Sequence, residues 1–286
     1  VRSMLGILPT PPAQYVDGDI VFESESLIGL SEKEWQKIRG KKISMIFQDP
    51  MTSLNPVFTI GQQMIDVYML QEKSNSFSFS LKKKKELRKK GRERAIELLK
   101  KMRIPDPESI LERYPVELSG GMRQRILIAL ALMHTPQLLL ADEPGTALDV
   151  SVQDQILQEL KRLVAEENVS MIFITHNLGV ARMISDRIYV MYAGEVIETA
   201  STEEMFSNPK HPYTKGLLSS IPKLNGEMGD GIDGNIPDFV NPPKGCRFYD
   251  RCPVRMDKCN TVPPKLIENS DHQVACHLFN KEDHDE

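Results

Sequence analysis

Between Leu118 and Asp149 the chain reads LSGGMRQRILIALALMHTPQLLLADEPGTALD. Ser119, Gly120 and Gly121 stand just ahead of an apolar helical run, Ile126 to Met133. At a helix start the unpaired N–H groups and the helix dipole face an anion. Two glycines there remove side chains that would block the close approach of a phosphate. Thr135-Pro136 ends the run, and Leu138 to Ala141 reads as a short buried strand ending in Asp142-Glu143. Two adjacent carboxylates at a buried strand end suit a nucleotide, one on Mg²⁺ and the other orienting or deprotonating water.

Other residues could do chemistry. Gln48 opens a polar, proline-punctuated loop, Gln48 to Pro56. Its amide can coordinate Mg²⁺ or hold an attacking water, and the plain alternative is a surface turn. His176 follows a strand-like run, Val169 to Thr175. All four cysteines, Cys246, Cys252, Cys259 and Cys276, lie in the tail at intervals of five, six and sixteen residues, with none in the 245 residues before them. Such clustering suits a metal that replaces a hydrophobic core. Zinc favours tighter pairs, iron–sulfur clusters accept varied Cys₄ spacing, and unliganded thiols are the third possibility. His272 and His277 are nearby and spare.

The elements that position these residues alternate. Asp19 to Phe22 and Ile43 to Phe47 read as strands, and Ser31 with Glu34 is a capping box that starts a helix between them. Residues Val1 to Pro9 read as the body of a helix. Ile60 to Arg113 is helical and strongly charged, with a Ser-rich break at Ser74 to Ser80. Its run Lys82-Lys83-Lys84-Lys85 is read as a solvated face, opposite an apolar side of Ala95, Ile96, Leu98 and Leu99. Gln153 to Ala165 is an amphipathic helix with Ile156, Leu157, Leu160, Leu163 and Val164 inward. Asn177 starts a further helix to Ile184, and Ala193-Gly194 is the turn of a hairpin between Arg187 and Glu198. Leu224 to Pro243 reads as a linker or wrapping loop. Strands alternating with helices give an α/β core with a largely parallel sheet.

In order and spacing, LSGGMRQR, the LLLADE strand, Ala147-Leu148-Asp149, Phe173-Ile174-Thr175-His176 and Phe47-Gln48-Asp49-Pro50 resemble the motifs of the ATP-binding cassette (ABC) family. FQDPMTSLNP and Asn208-Pro209-Lys210-His211-Pro212-Tyr213-Thr214 are similar to its dipeptide/oligopeptide importers, of the D type. The resemblance implies an ABC-type P-loop NTPase core, with an antiparallel β lobe, a helical subdomain and a C-terminal cysteine-rich extension. The segments would be 1–59, the remaining core and β lobe; 60–117, the helical subdomain; 118–200, the signature, Walker B and switch region; and 201–286, the extension.

It further implies ATP and Mg²⁺, with Asp142 and Gln48 on the metal. Glu143 would be the general base and His176 the contact to the γ-phosphate. Ser119, Gly120 and Gly121 would bind the ATP of a partner subunit, toward which Asp149 crosses. A 4Fe–4S cluster is implied on Cys246, Cys252, Cys259 and Cys276. The implied partners are a second ABC ATPase subunit (an F-type partner or a second copy), two membrane permease subunits and, indirectly, an extracytoplasmic peptide-binding protein. The chain would then sit peripherally on the cytoplasmic face of the membrane. A nickel importer ATPase and a truncated, non-hydrolytic regulatory cassette are the alternatives.

The sequence departs from the family in two places. No G-x-x-x-x-G-K-[ST] occurs, since around Gly40-Lys41 Trp35 replaces the first glycine and Lys42 the hydroxyl residue. The phosphate-binding loop is therefore expected upstream of Val1, and the chain alone is expected to be inactive. Gly145 stands in EPGTALD where peptide importers carry a hydroxyl residue, and a loosened loop is expected there. Composition agrees with an ordinary globular protein: 286 residues, net charge −4 and 27% charged. There is no basic excess to imply nucleic acid, no signal peptide is visible at the start, and the apolar runs fall short of the roughly 20 residues a membrane-spanning helix needs.

Overall fold

The computed structural model describes residues 1–73, 80–145, 149–221, 231–266 and 271–279. These form two compact units, Val1–His176 and Asn177–Glu286. The Ser-rich break at 74–79, Ala147-Leu148 and the first part of the proposed linker, 224–230, lie outside the described residues.

The first unit opens with a single 3₁₀ turn, Arg2–Leu5, where the sequence suggested the body of a helix. Gly6 stops it by turning left-handed at φ 58°. A Cβ on Gly6 would meet the Trp35 ring at 2.6 Å, so only glycine fits there. Next comes a two-stranded antiparallel ribbon, β1 (Val21–Phe22) and β2 (Glu25–Ser26). It turns through Glu23 and Ser24, both at positive φ as a primed two-residue turn requires. Helix α1 (Glu32–Ile38) starts at the expected capping box, with the Ser31 N–H donating to the Glu34 carboxylate at 2.7 Å. Trp35 and Ile38 of α1 pack into a core with Leu5, Leu27, Ile43, Leu138 and Leu140.

Strand β3 (Ile43–Ile46) leads to a short helical turn, α2 (Pro50–Ser53), inside the segment expected to be loop throughout. Three helices follow: α3 (Ile60–Lys73), α4 (Leu81–Lys101) and α5 (Pro107–Leu111). Ala95, Leu98 and Leu99 of α4 are fully buried, whereas Lys82 to Lys85 are exposed, as a solvated face requires. Helix α6 (Gly120–Ala131), strand β4 (Leu138–Asp142), helix α7 (Val150–Glu166) and strand β5 (Ser170–Ile174) complete the unit. All five apolar positions expected to face inward on α7 are buried. Glu167, capping the end of α7, binds Arg94 of α4 at 2.8 Å and also Lys101. Burial alone would push the Glu167 carboxyl up, but these two cations outweigh it and hold it down at about 2.

The sheet is parallel in the order β3-β4-β5. Its central strand, β4, is buried from Leu138 to Ala141, which is why its residues are continuously apolar.

In the second unit the Asn177 side chain caps α8 (Leu178–Ile184), accepting from the Gly179 and Val180 N–H groups. The hairpin is β6 (Arg187–Tyr192) with β7 (Glu195–Ser201), turning through Ala193 and Gly194 at positive φ. Helices α9 (Thr202–Ser207) and α10 (Pro212–Ser219) follow, and β8 (Gln273–Val274) returns to pair with β7. Val190, Tyr192, Ile197, Ala200, Met205 and Phe248 form the core. Residues 231–243 carry no helix or strand.

Within this unit Glu198 on β7 is fully buried. Its carboxylate accepts from the backbone N–H of Lys210 at 2.6 Å and of His211 at 3.1 Å, and meets His272 Nε2 at 2.8 Å. His211 caps α10, its Nδ1 accepting from the Tyr213 N–H at 3.0 Å. Burial pushes the His211 imidazole down to about 4, against the pull of Glu198.

Two tests follow from this packing. Leu140→Ala should cost about 2–5 kcal/mol in urea unfolding, while Lys84→Ala should change stability by less than about 0.5 kcal/mol. A large loss at Lys84 would mean that the lysine run is engaged rather than solvated. For His211, the unfolded chain takes up a proton near pH 6.5 and the folded chain only near 4. Stability conferred by the neutral ring is therefore complete above pH 6.5 and is lost as pH falls toward 4, by about 3 kcal/mol. His211→Asn keeps a capping acceptor and should flatten that pH dependence. An equal slope in both proteins would remove His211 as its source.

Candidate functional site

The parallel register brings three strand ends to one edge. Ile46 is paired with Ala141, and Asp142 with Ile174. Gln48 lies two residues beyond β3, Glu143 one beyond β4 and His176 two beyond β5. Their side chains meet. Gln48 Nε2 donates to Glu143 Oε2 at 3.0 Å, and His176 Nδ1 lies 2.7 Å from Glu143 Oε1. The Glu143 backbone is left-handed, with φ 47°, and its N–H is fixed on the Ile174 carbonyl at 3.1 Å. An uncommon conformation for a side-chain-bearing residue thus aims the carboxylate between the amide and the imidazole. Glu143 is largely covered, whereas the His176 side chain is 71% exposed. A carboxylate held in this way, with one side open, can accept a proton from a bound water. The Gln48 amide spends its N–H on Glu143 and keeps its carbonyl oxygen for a cation.

Asp142 is the last residue of β4 and half-buried. Ser119, Gly120 and Gly121 form the start of α6. The Ser119 hydroxyl accepts from the Met122 N–H at 3.3 Å, and the N–H groups of Gly120 and Gly121 have no acceptor within the helix. Asp149 is exposed at the start of α7 and makes no side-chain cap. None of these residues is joined to the Gln48–Glu143–His176 triad by the hydrogen bonds just described.

Two positioning features were not visible in the sequence pattern. Gln124, on α6, is buried and donates through Nε2 to the Pro144 carbonyl at 3.2 Å, tying α6 to the turn that follows Glu143. Gly121 also serves packing, since a Cβ there would meet Val152 of α7 at 3.0 Å. At Gly145, where looseness was expected, the N–H closes a tight turn on the Glu143 carbonyl at 2.7 Å. An added Cβ would meet the Gln153 side chain at 2.9 Å.

The tail requires a correction. The four cysteines are free thiols lining one cavity with His211, Phe248 and His277. Its volume is about 20 Å³, room for roughly one water. Burial pushes the Cys246 thiol up to about 11 and raises those of Cys252 and Cys276 as well. Among the described residues no group of three or more His, Cys, Asp or Glu is placed to hold a metal ion. The expected 4Fe–4S cluster and metal-ligand role of Cys246, Cys252, Cys259 and Cys276 are therefore not supported. The cysteines pack as small apolar side chains instead.

Comparison with known proteins gives two family matches. The ABC transporter family matches residues 7–146, and "Oligopeptide/dipeptide transporter, C-terminal region" matches residues 197–259. The oligopeptide transport ATP-binding protein AppD of Bacillus subtilis (strain 168) is 45% identical over 283 residues, spanning 98% of this chain and 83% of that protein. The dipeptide transport ATP-binding protein DppD of the same organism is 46% identical over 280 residues, spanning 97% and 80%. Among solved structures, a dimeric post-hydrolysis state of the ATP-binding cassette MJ0796 bound to ADP and Pi aligns with a TM-score of 0.55 at 29% identity, over 70% of this chain and 79% of that one.

If Gln124 positions the turn after Glu143, Gln124→Leu should leave the Pro144 carbonyl unpaired. The expected cost is about 1–3 kcal/mol in urea unfolding. Unchanged stability would show that the link carries no weight.

Proposed function

The chain belongs to the ABC transporter family, in its oligopeptide/dipeptide branch, and from that premise we propose that it binds and hydrolyses ATP to energise import of di- and oligopeptides through a membrane transporter. The Gln48–Glu143–His176 triad carries this reading, because it combines a water-activating carboxylate with two groups able to follow a phosphate. The peptide relatives at 45% and 46% identity favour peptides over nickel. An intact triad argues against a non-hydrolytic remnant.

In this mechanism Glu143 takes a proton from the attacking water while His176 contacts the γ-phosphate. Asp142 and the Gln48 carbonyl would hold Mg²⁺, since both offer the oxygen donors that a hard cation prefers. When bound, the ion offsets the charge that develops on the phosphates. Gln48 would also report the nucleotide to the loop beyond it. Ser119 and the N–H groups of Gly120 and Gly121 serve ATP bound to a partner ATPase subunit, either an F-type chain or a second copy, toward which Asp149 crosses. The dimeric state of the similar MJ0796 cassette supports that arrangement.

Among the described residues no helix is long and apolar enough to cross a membrane. In this reading the chain attaches at the cytoplasmic face through two permease subunits, with a peptide-binding protein acting on the far side.

In the assembled transporter, Glu143→Gln should bind ATP with affinity near wild type and lower kcat by about 10²–10⁴-fold. Wild-type turnover by that variant would reject Glu143 as the base.

A further inference from the structure

Away from the strand-end site, the first ten residues of α4, Leu81 to Lys90, hold seven basic side chains and one carboxylate. All but Leu87 are exposed, so this end of the helix faces water in the free chain. Glu86, the one carboxylate, pairs with Lys90 at 3.1 Å, and Lys89 lies 3.8 Å from Glu93 of the next turn. Lys84, Lys85 and Arg88 have no ion-pair partner among the described residues. With Leu81 they fall at i, i+3, i+4 and i+7, the spacing that places side chains on one helix face. Leu81, 87% exposed, ends that face with an uncovered apolar side chain.

Folding does not account for this arrangement. Lys84 with Arg88, and Lys85 with Arg88, are like-charge pairs at the spacings where helix neighbours repel. They stand near the positive end of the helix dipole, where carboxylates are favourable, yet the first turn contains none. The contrast with the rest of the chain is large. Helix α4 has eleven basic residues against three acidic ones, in a protein whose net charge is −4. Positive charge is therefore concentrated on this helix, and its unpaired part lies on one exposed face.

We propose that this face binds an anionic phospholipid surface. Its three unpaired cations complement the headgroup charge, and Leu81 supplies an apolar contact at the boundary between headgroups and acyl chains. Lysine predominates in the run, a flexible point charge suited to mobile headgroups rather than to paired hydrogen bonds on one fixed phosphate. No aromatic residue occurs in α4 on which the bases of a single-stranded nucleic acid could stack, which favours lipid. The rest of the chain is negative, but at 0.1 M salt charges more than about 10 Å from the surface are largely screened. This contact is additional to the attachment through permease subunits. It requires neither permease nor nucleotide, so its failure would leave that reading intact.

Sedimentation of the chain with vesicles tests it, using phosphatidylcholine alone and phosphatidylcholine with about 30% phosphatidylglycerol. The chain should sediment with the anionic vesicles in about 0.1 M NaCl, be released at about 0.5 M, and ignore the neutral ones. Lys84→Gln/Lys85→Gln should weaken partition by about tenfold or more, since each basic residue near such a surface contributes about fivefold. Lys33→Gln/Lys37→Gln, at exposed positions of α1, should leave it unchanged, with thermal melting confirming that both variants fold. Failure to sediment with anionic vesicles would overturn the proposal, as would equal binding to neutral ones. Unaltered partition in Lys84→Gln/Lys85→Gln, or an equal loss in both double variants, would do the same. Binding to polyuridine without binding to anionic vesicles would assign the face to nucleic acid instead.

Discussion

The hydrogen-bond register of three short parallel strands decides which side chains meet at the open edge of the first unit's sheet. Ile46 opposite Ala141 and Asp142 opposite Ile174 fix where each chain leaves the sheet. Gln48, Glu143 and His176 then have no choice but to converge. A slip of one residue would turn every side chain of the strand to the opposite face and separate the three groups. Apolar contacts enforce the register: Ile43 and Ile46 on one strand and Leu139 to Ala141 on the next are almost fully buried. The convergence of Gln48, Glu143 and His176 is thus held by buried apolar residues of the strands.

The elements were largely legible in the sequence because their signals are local. The capping box at Ser31, the apolar stripe of α7 and the turn at Ala193-Gly194 need only neighbouring residues to be read. The identities of Gln48, Glu143 and His176 were legible as well, through motif order. Their mutual contacts were not, since Gln48 and Glu143 are 95 residues apart and only the folded sheet joins them. The same limit hid Gln124, which reads as one more polar residue between Arg123 and Arg125 until Pro144 is placed beside it.

The tail shows how spacing can mislead. Clustered cysteines state that sulfurs are close but not how much room lies between them, and that volume depends on Phe248, His211 and His277 packed around them. The charge that organises this unit sits elsewhere, on Glu198. A fully buried carboxylate is costly unless its oxygens are hydrogen-bonded. Two backbone N–H groups at Lys210 and His211, together with His272, meet that requirement and fasten the segment before α10 and the returning strand β8 to β7.

That fastening imposes an order on synthesis. Glu198 emerges from the ribosome early in the unit, but its imidazole partner is 74 residues further along. At about 5–20 residues per second, the carboxylate waits on the order of 4–15 s before His272 has been made. Until then the hairpin cannot close its interior without burying a carboxylate that lacks one of its three hydrogen-bond partners. The second unit therefore completes its fold only once its final strand has left the tunnel, and a nascent chain stalled before that point would hold an open, chaperone-accessible hairpin.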